Sequence, residues 1–181
     1  MPFTPFHMGP GIAVKAVLGS RFSLTVFGFT LVLIDLEPAY WMLKQAWPVH
    51  RTNHTVLGAM VIAVIAVVVG KPLCSGILGA WNKRLHPDQK RMLGVDSQIS
   101  WSVATISGVI GSLSHVALDA LMHSDMEPFS PVWDGNPALG LISHQQLYMG
   151  CVVAGAVGLV GLFGQAHTQQ GTGSMIQSRK Q

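Results

Sequence analysis

The chain is built from long apolar runs separated by short polar interruptions. Four runs stand out: 22–34, resuming at 40–43 after Asp-Leu-Glu-Pro; 55–70; 99–122; and 147–164. A helix that crosses a bilayer takes about 20 residues, with a range of about 17–25. The third and fourth runs meet that length directly. The first two meet it once their polar ends tuck into a bundle. A shorter apolar stretch, 11–19, can pair with 22–34 as a hairpin arm turning at Gly19-Ser20-Arg21. The runs are dense in Gly, Ala, Val and Leu, and small residues let membrane helices approach closely. Strand-like alternation is missing, which argues against a β-barrel. The pattern predicts an all-α, polytopic membrane helix bundle of about four spanning helices plus a short N-terminal helical arm. Residues 1–164 form one membrane-embedded domain, and the polar residues 165–181 read as a flexible tail.

Composition strengthens this picture. Hydrophobic residues make up 49% of the chain and charged residues 10%, where a soluble domain carries about 25% charged residues. A soluble globule, a disordered chain and a disulfide scaffold are all disfavoured. The two cysteines, Cys74 and Cys151, sit at the ends of apolar runs and do not suggest a structural disulfide. The opening Met-Pro-Phe-Thr-Pro-Phe-His lacks the basic stretch of a signal peptide.

Net charge is +3, but the positives are dispersed among apolar segments. The expected partner is therefore the lipid bilayer and not nucleic acid. Segment 71–98, read as a loop, holds Lys71, Lys83, Arg84, Lys90 and Arg91, and the tail holds Arg179 and Lys180. Segment 123–146 holds no Lys or Arg but carries Asp125, Glu127 and Asp134. The positive-inside rule places loop 71–98 and the C-terminus in the cytoplasm of a multi-pass protein of the inner or plasma membrane.

The ionisable residues within the apolar chain cluster at what this topology makes one membrane face. Asp35 and Glu37 end the first run, His50 and His54 open the second, and His115, Asp119 and His123 close the third. Ionisable groups at membrane depth are costly and point to function. If a helix begins near Pro48, His50 and His54 share one face at i,i+4 and can chelate an ion. Each four-residue step from His115 to Asp119 to His123 turns only about 40° past a full turn and climbs about 6 Å. The three therefore form one stripe, too long to bind one ion together. His115 and Asp119 can share a metal, with Asp119 bridging towards a second at His123, or Asp119 can orient a histidine from outside the ligand shell. Asp35 and Glu37 do not share a helical face. Asp35 reads as a ligand and Glu37 as an orienting group or general base. His7 joins only if the hairpin returns it to the same face. His144 follows an irregular loop near that face, whereas His86 and His167 sit in polar surroundings. Imidazole and carboxylate ligands suit zinc, manganese or iron.

Taken together, these residues resemble the small bacterial and archaeal membrane proteins known as membrane-bound metal-dependent hydrolases, which include LexA-regulated inner-membrane hydrolase-like proteins. The matching segments are Thr4–His7, Ile34-Asp35-Leu36-Glu37-Pro38, His50-Arg51-Thr52-Asn53-His54-Thr55 and Ser114-His115-Val116-Ala117-Leu118-Asp119. Pro128 and Pro131 follow in the next loop. The resemblance covers roughly residues 1–164. It implies His7, Asp35, His50, His54, His115 and Asp119 as ligands of a divalent metal, zinc first. Thr52 stands where the family pattern has Gly, Asn53 where it has Thr, and Glu37 where it has Asp. The family is distantly similar to zinc phospholipase C and single-strand nucleases, whose further His follows after a longer gap than that to His123.

Three functions then compete. The first is metal-dependent hydrolysis of a phosphoester of a lipid or lipid-linked substrate, with Asp35 or Glu37 orienting or deprotonating water. The second is an ion or proton pathway, which needs polar groups through the full membrane depth. The third is a structural or regulatory membrane protein whose Asp–His network only locks helices.

Overall fold

A computed structural model describes residues 4–178, and the side chains of these except Thr4, Arg91, Met92 and residues 166–178. Every regular element among them is helical. Helix α1 (Thr4–Leu18) ends in a 3-10 turn, Gly19–Arg21. Gly19 takes φ +55°, a conformation that costs glycine little. Lys15 closes the turn, its Nζ donating to the carbonyl oxygens of Gly19 and Phe22 at 2.8 and 2.6 Å. The expected hairpin arm is thus a full helix packed on the bundle.

Helix α2 (Leu24–Leu43) is capped by Ser23, whose side chain accepts from the backbone N–H of Val26. The Ser23 N–H in turn donates to Ser107 Oγ at 2.8 Å. The Asp-Leu-Glu-Pro interruption does not end α2, which runs through Pro38 to Leu43. Its Val26, Phe27, Leu31 and Ile34 are fully buried, so one face of α2 packs into the core of the bundle.

Helix α3 (Val56–Ile65) starts at a Thr55 cap, which accepts from Gly58 N–H at 2.9 Å. It passes through one π-helical stretch, Ala66–Gly70, into α4 (Lys71–Arg84), giving a continuous 29-residue span. Here the structure corrects the sequence reading: residues 71–84 are helix and not loop. Lys71 looks like a boundary by charge, but its ammonium lies 4.4 Å from the Trp101 ring centroid, an aromatic face that can hold a cation. Leu73, Cys74 and Ile77 then continue the apolar run.

After the short α5 (Pro87–Leu93), α6 (Trp101–Ala120) returns across the bundle, capped by Ser100. An irregular segment leads to α7 (His144–Ser178), whose backbone stays helical into the stretch expected to be a tail. The side chain of His167, and Arg179 and Lys180, lie outside the described residues. Among the described residues, four helical segments are long and apolar enough to cross a membrane: Leu24–Leu43, Val56–Arg84, Trp101–Ala120 and His144–Gln165. The fold is all-α, with these four spans and the additional helix α1.

Helices α1 and α7 run parallel. Gly9 meets Cys151, Ala13 meets Gly158 and Ala16 meets Gly161. A Cβ on Gly9 would collide with the carbonyl oxygen of Cys151, so only glycine permits this approach. This packing puts the N-terminus of α1 at the same end of the bundle as the C-termini of α2 and α6 and the start of α3.

Candidate metal centre

At that end the ionisable residues form two adjoining groups. The first is Asp35, His54, His115 and Asp119; the second is His50, His123 and Asp125. Within each, one ligating atom per residue lies within 4.8 Å of those of the others, so each group can hold a metal ion.

Three elements build the first group. α2 supplies Asp35, α6 supplies His115 and Asp119 one turn apart, and the turn before α3 supplies His54. His54, His115 and Asp119 are 1%, 0% and 1% exposed. His115 Nε2 lies 3.1 Å from Asp35 Oδ1 and 3.2 Å from Asp119 Oδ2. His54 Nε2 lies 3.9 and 3.6 Å from the same two oxygens. Neither His54 nitrogen and neither His115 nitrogen makes a hydrogen bond, although all four atoms are buried. Donors placed tetrahedrally about 2.0–2.1 Å from zinc stand roughly 3.3–3.4 Å from one another. The observed separations scatter around that spacing. Charge fits as well: with both imidazoles neutral, as metal ligation requires, the two carboxylates sum to minus two, which a divalent ion cancels. A carboxylate as deep as Asp119 requires such compensation.

Two further residues support this group. His7, 3% exposed, places Nε2 3.3 Å from Asp119 Oδ1, and its ring centroid is 4.4 Å from that of His115. Glu37 lies behind His54, with Oε2 3.7 Å from Nδ1. The same oxygen accepts from the backbone N–H groups of Asn53 (2.8 Å) and Arg51 (3.3 Å). Glu37 therefore ties residues 51–54 to α2 and aims His54. Burial, the largest influence, holds the His54 pKa below its ordinary value despite the opposing contact with Glu37. Its imidazole is neutral at neutral pH, the form that ligates metal. Glu37→Gln is expected to weaken metal binding about 10–100-fold while leaving helix content unchanged. Competition against a chelating dye, with circular dichroism alongside, measures both.

The expected pairing of His50 with His54 on one helical face does not form. Residues 50–54 precede α3: Arg51 has φ −124° and ψ −127°, and Thr52–His54 is a 3-10 turn. The backbone N–H groups of Arg51 and Asn53 are directed to Glu37, so no α-helical ladder runs through them. The two histidines part into different groups, though their ring centroids remain 4.8 Å apart.

The continuous stripe expected from His115 through Asp119 to His123 also breaks. α6 ends at Ala120. Asn136 Nδ2 donates to the carbonyl oxygens of Ala120 and His123, holding the chain as it leaves the helix. His123 turns towards His50, with ring centroids 4.2 Å apart. Burial lowers the His123 pKa to about 4, so it too is neutral, and its buried Nε2 makes no hydrogen bond.

Asp125 was not singled out by sequence; loop acidity had seemed only to mark orientation. Its Oδ1 lies 2.9 Å from His50 Nδ1, and its Oδ2 accepts from the N–H groups of Val49 and His50. Burial raises its pKa, but the His50 contact and these two N–H donors outweigh burial and hold it below the ordinary value. The available signal was the two-residue spacing in His123-Ser124-Asp125. His144 is exposed at the start of α7 and His86 at the start of α5, outside both groups. No protein-family model, curated protein or solved structure matches the chain.

Proposed function

We propose that the protein is a membrane-embedded, metal-dependent hydrolase acting on a phosphoester of a lipid or lipid-linked molecule. One observation carries this reading: the buried imidazole nitrogens of His54 and His115 converge with two carboxylates at ligand-to-ligand spacing. Asp35, His54, His115 and Asp119 would hold the ion, zinc first, with manganese or iron suiting the same donors. A bound divalent ion supplies Lewis-acid activation of water and neutralises charge developing on a phosphoryl group.

The chain's own residues supply the rest. Asp35 and Glu37 keep partly exposed side chains, 24% and 14%, and are the carboxylates able to take a proton from water. His7 fixes Asp119, and Glu37 fixes His54. Lys15, Arg21, Lys83, Arg84 and Lys90 lie towards the opposite end, while the site end carries Lys44 and Arg51. The positive-inside rule then puts the site on the outer face of the cell membrane and the α4–α5 region in the cytoplasm. Against a transport pathway, the buried hydroxyls deeper in the bundle, Thr30, Ser107 and Ser112, donate to carbonyls of their own helices.

Metal-loaded protein in nanodiscs is expected to cleave short-chain phosphoester lipids. Chelation should abolish the reaction, and Asp35→Asn should slow it about 100-fold or more. Stoichiometric metal without cleavage of any phosphoester would sink the hydrolase reading and leave a metal-bound helix lock.

A further inference from the structure

A cleft of about 740 Å³ opens beside the second histidine group. One wall is Leu57 and Val61, in the first two turns of α3. They are 58% and 59% exposed on a membrane-crossing helix, so this wall continues the apolar outer surface of the bundle. The floor is polar and includes His50, Asp125 and Arg51.

Arg51 is fixed but not neutralised. Its Nε donates to the Pro48 carbonyl oxygen at 2.8 Å, and its guanidinium lies 3.7 Å from the Trp41 ring centroid. Every ion pair among the described residues involves a histidine, and Arg51 enters none. An oriented guanidinium with terminal N–H groups to offer is suited to a phosphate, which it can grip through two parallel bonds. The depth also fits. Tyr40, Trp47, Phe129 and Trp133 are exposed at this end of the bundle, and such aromatics sit at headgroup level. Arg51 is thus placed where lipid phosphates lie, and Leu57 and Val61 where acyl chains begin.

We propose that this cleft binds one membrane lipid, with Arg51 holding its phosphate and Leu57 and Val61 its acyl chains. This deepens the hydrolase reading, on which it rests for purpose: the phosphate is delivered beside His50, whose ring adjoins that of His54. Free phosphate can use Arg51 but not the apolar wall.

The test reads tryptophan fluorescence of detergent-purified protein in excess chelator. The probes are dihexanoyl phosphatidic acid, dihexanoylglycerol and inorganic phosphate. Phosphatidic acid is expected to bind more tightly than either of the others. Arg51→Gln should weaken it about tenfold or more. Arg51→Lys, which keeps the charge without the paired donors, should recover part of the loss and guards against a folding artefact. Leu57→Asn should weaken lipid binding and leave inorganic phosphate unchanged. Equal lipid affinity in wild type and Arg51→Gln overturns the proposal. So does inorganic phosphate binding as tightly as the lipid, which would make the cleft a site for the free ion. The chelated protein isolates binding from turnover. Arg51-dependent binding without hydrolysis in the loaded protein refutes the hydrolase reading alone, and hydrolysis indifferent to Arg51→Gln refutes this proposal alone.

Discussion

Asp119→Ala is expected to strip the protein of stoichiometric metal. Asp119 is the most connected residue of the centre: Oδ2 faces both His54 and His115, and Oδ1 faces His7. Its removal takes away the carboxylate that α6 contributes and leaves three buried imidazoles without the anion they surround. Plasma mass spectrometry of the detergent-purified protein measures the loss, and any phosphoesterase activity should fall with it by at least about 100-fold. Asp35→Asn keeps the buried carboxylate and alters the more exposed one, so it separates metal loss from misfolding. Wild-type protein that stays metal-free after reconstitution, with lowered melting in both variants, would show that the cluster only joins helices.

The second large effect lies away from the ligands. Gly9→Val is expected to destabilise the bundle by more than the roughly 1–3 kcal/mol typical of overpacking. The obstacle is the Cys151 carbonyl oxygen, fixed backbone that cannot rotate away as a side chain would. α1 must lift from α7, and His7, two residues earlier, moves with it. Thermal unfolding in detergent should show a clear drop in Tm. Gly150→Ala is the control: its added methyl meets nothing within 4 Å, and alanine favours helix. If Gly9→Val melts like Gly150→Ala, the parallel packing of α1 on α7 is wrong.

Hydropathy made most of the fold legible, because crossing a bilayer demands length and apolarity, and both can be counted. It misplaced the end of the second span, because Lys71 reads as water-exposed by type although its ammonium rests against the Trp101 ring. Which residues come together was also largely legible: Asp35, His54, His115 and Asp119 converge, with Glu37 and His7 behind them. Their partition was legible only in part: His123 stands apart from the His115–Asp119 pair as its climb along the helix requires, but His50 does not join His54. Sequence spacing maps to space only where the helix is known to continue. Between His50 and His54 the backbone hydrogen bonds go to Glu37, and past Ala120 the chain is redirected by Asn136, a residue far along an irregular loop. Asp125 escaped for the same reason: in a loop, no periodicity ties a residue to its neighbours.

The parallel seating of α1 on α7 also sets an order of biogenesis. His7 leaves the ribosome long before residues 151–161, the surface on which its helix rests. The earliest residue of the centre to be synthesised is therefore the last to be secured, and Asp119 lacks its His7 neighbour until the final span has entered the membrane. Chains arrested before α7 would carry all four candidate ligands without His7 seated beside them, so the firmness of the centre, and not its composition, reports on completed insertion.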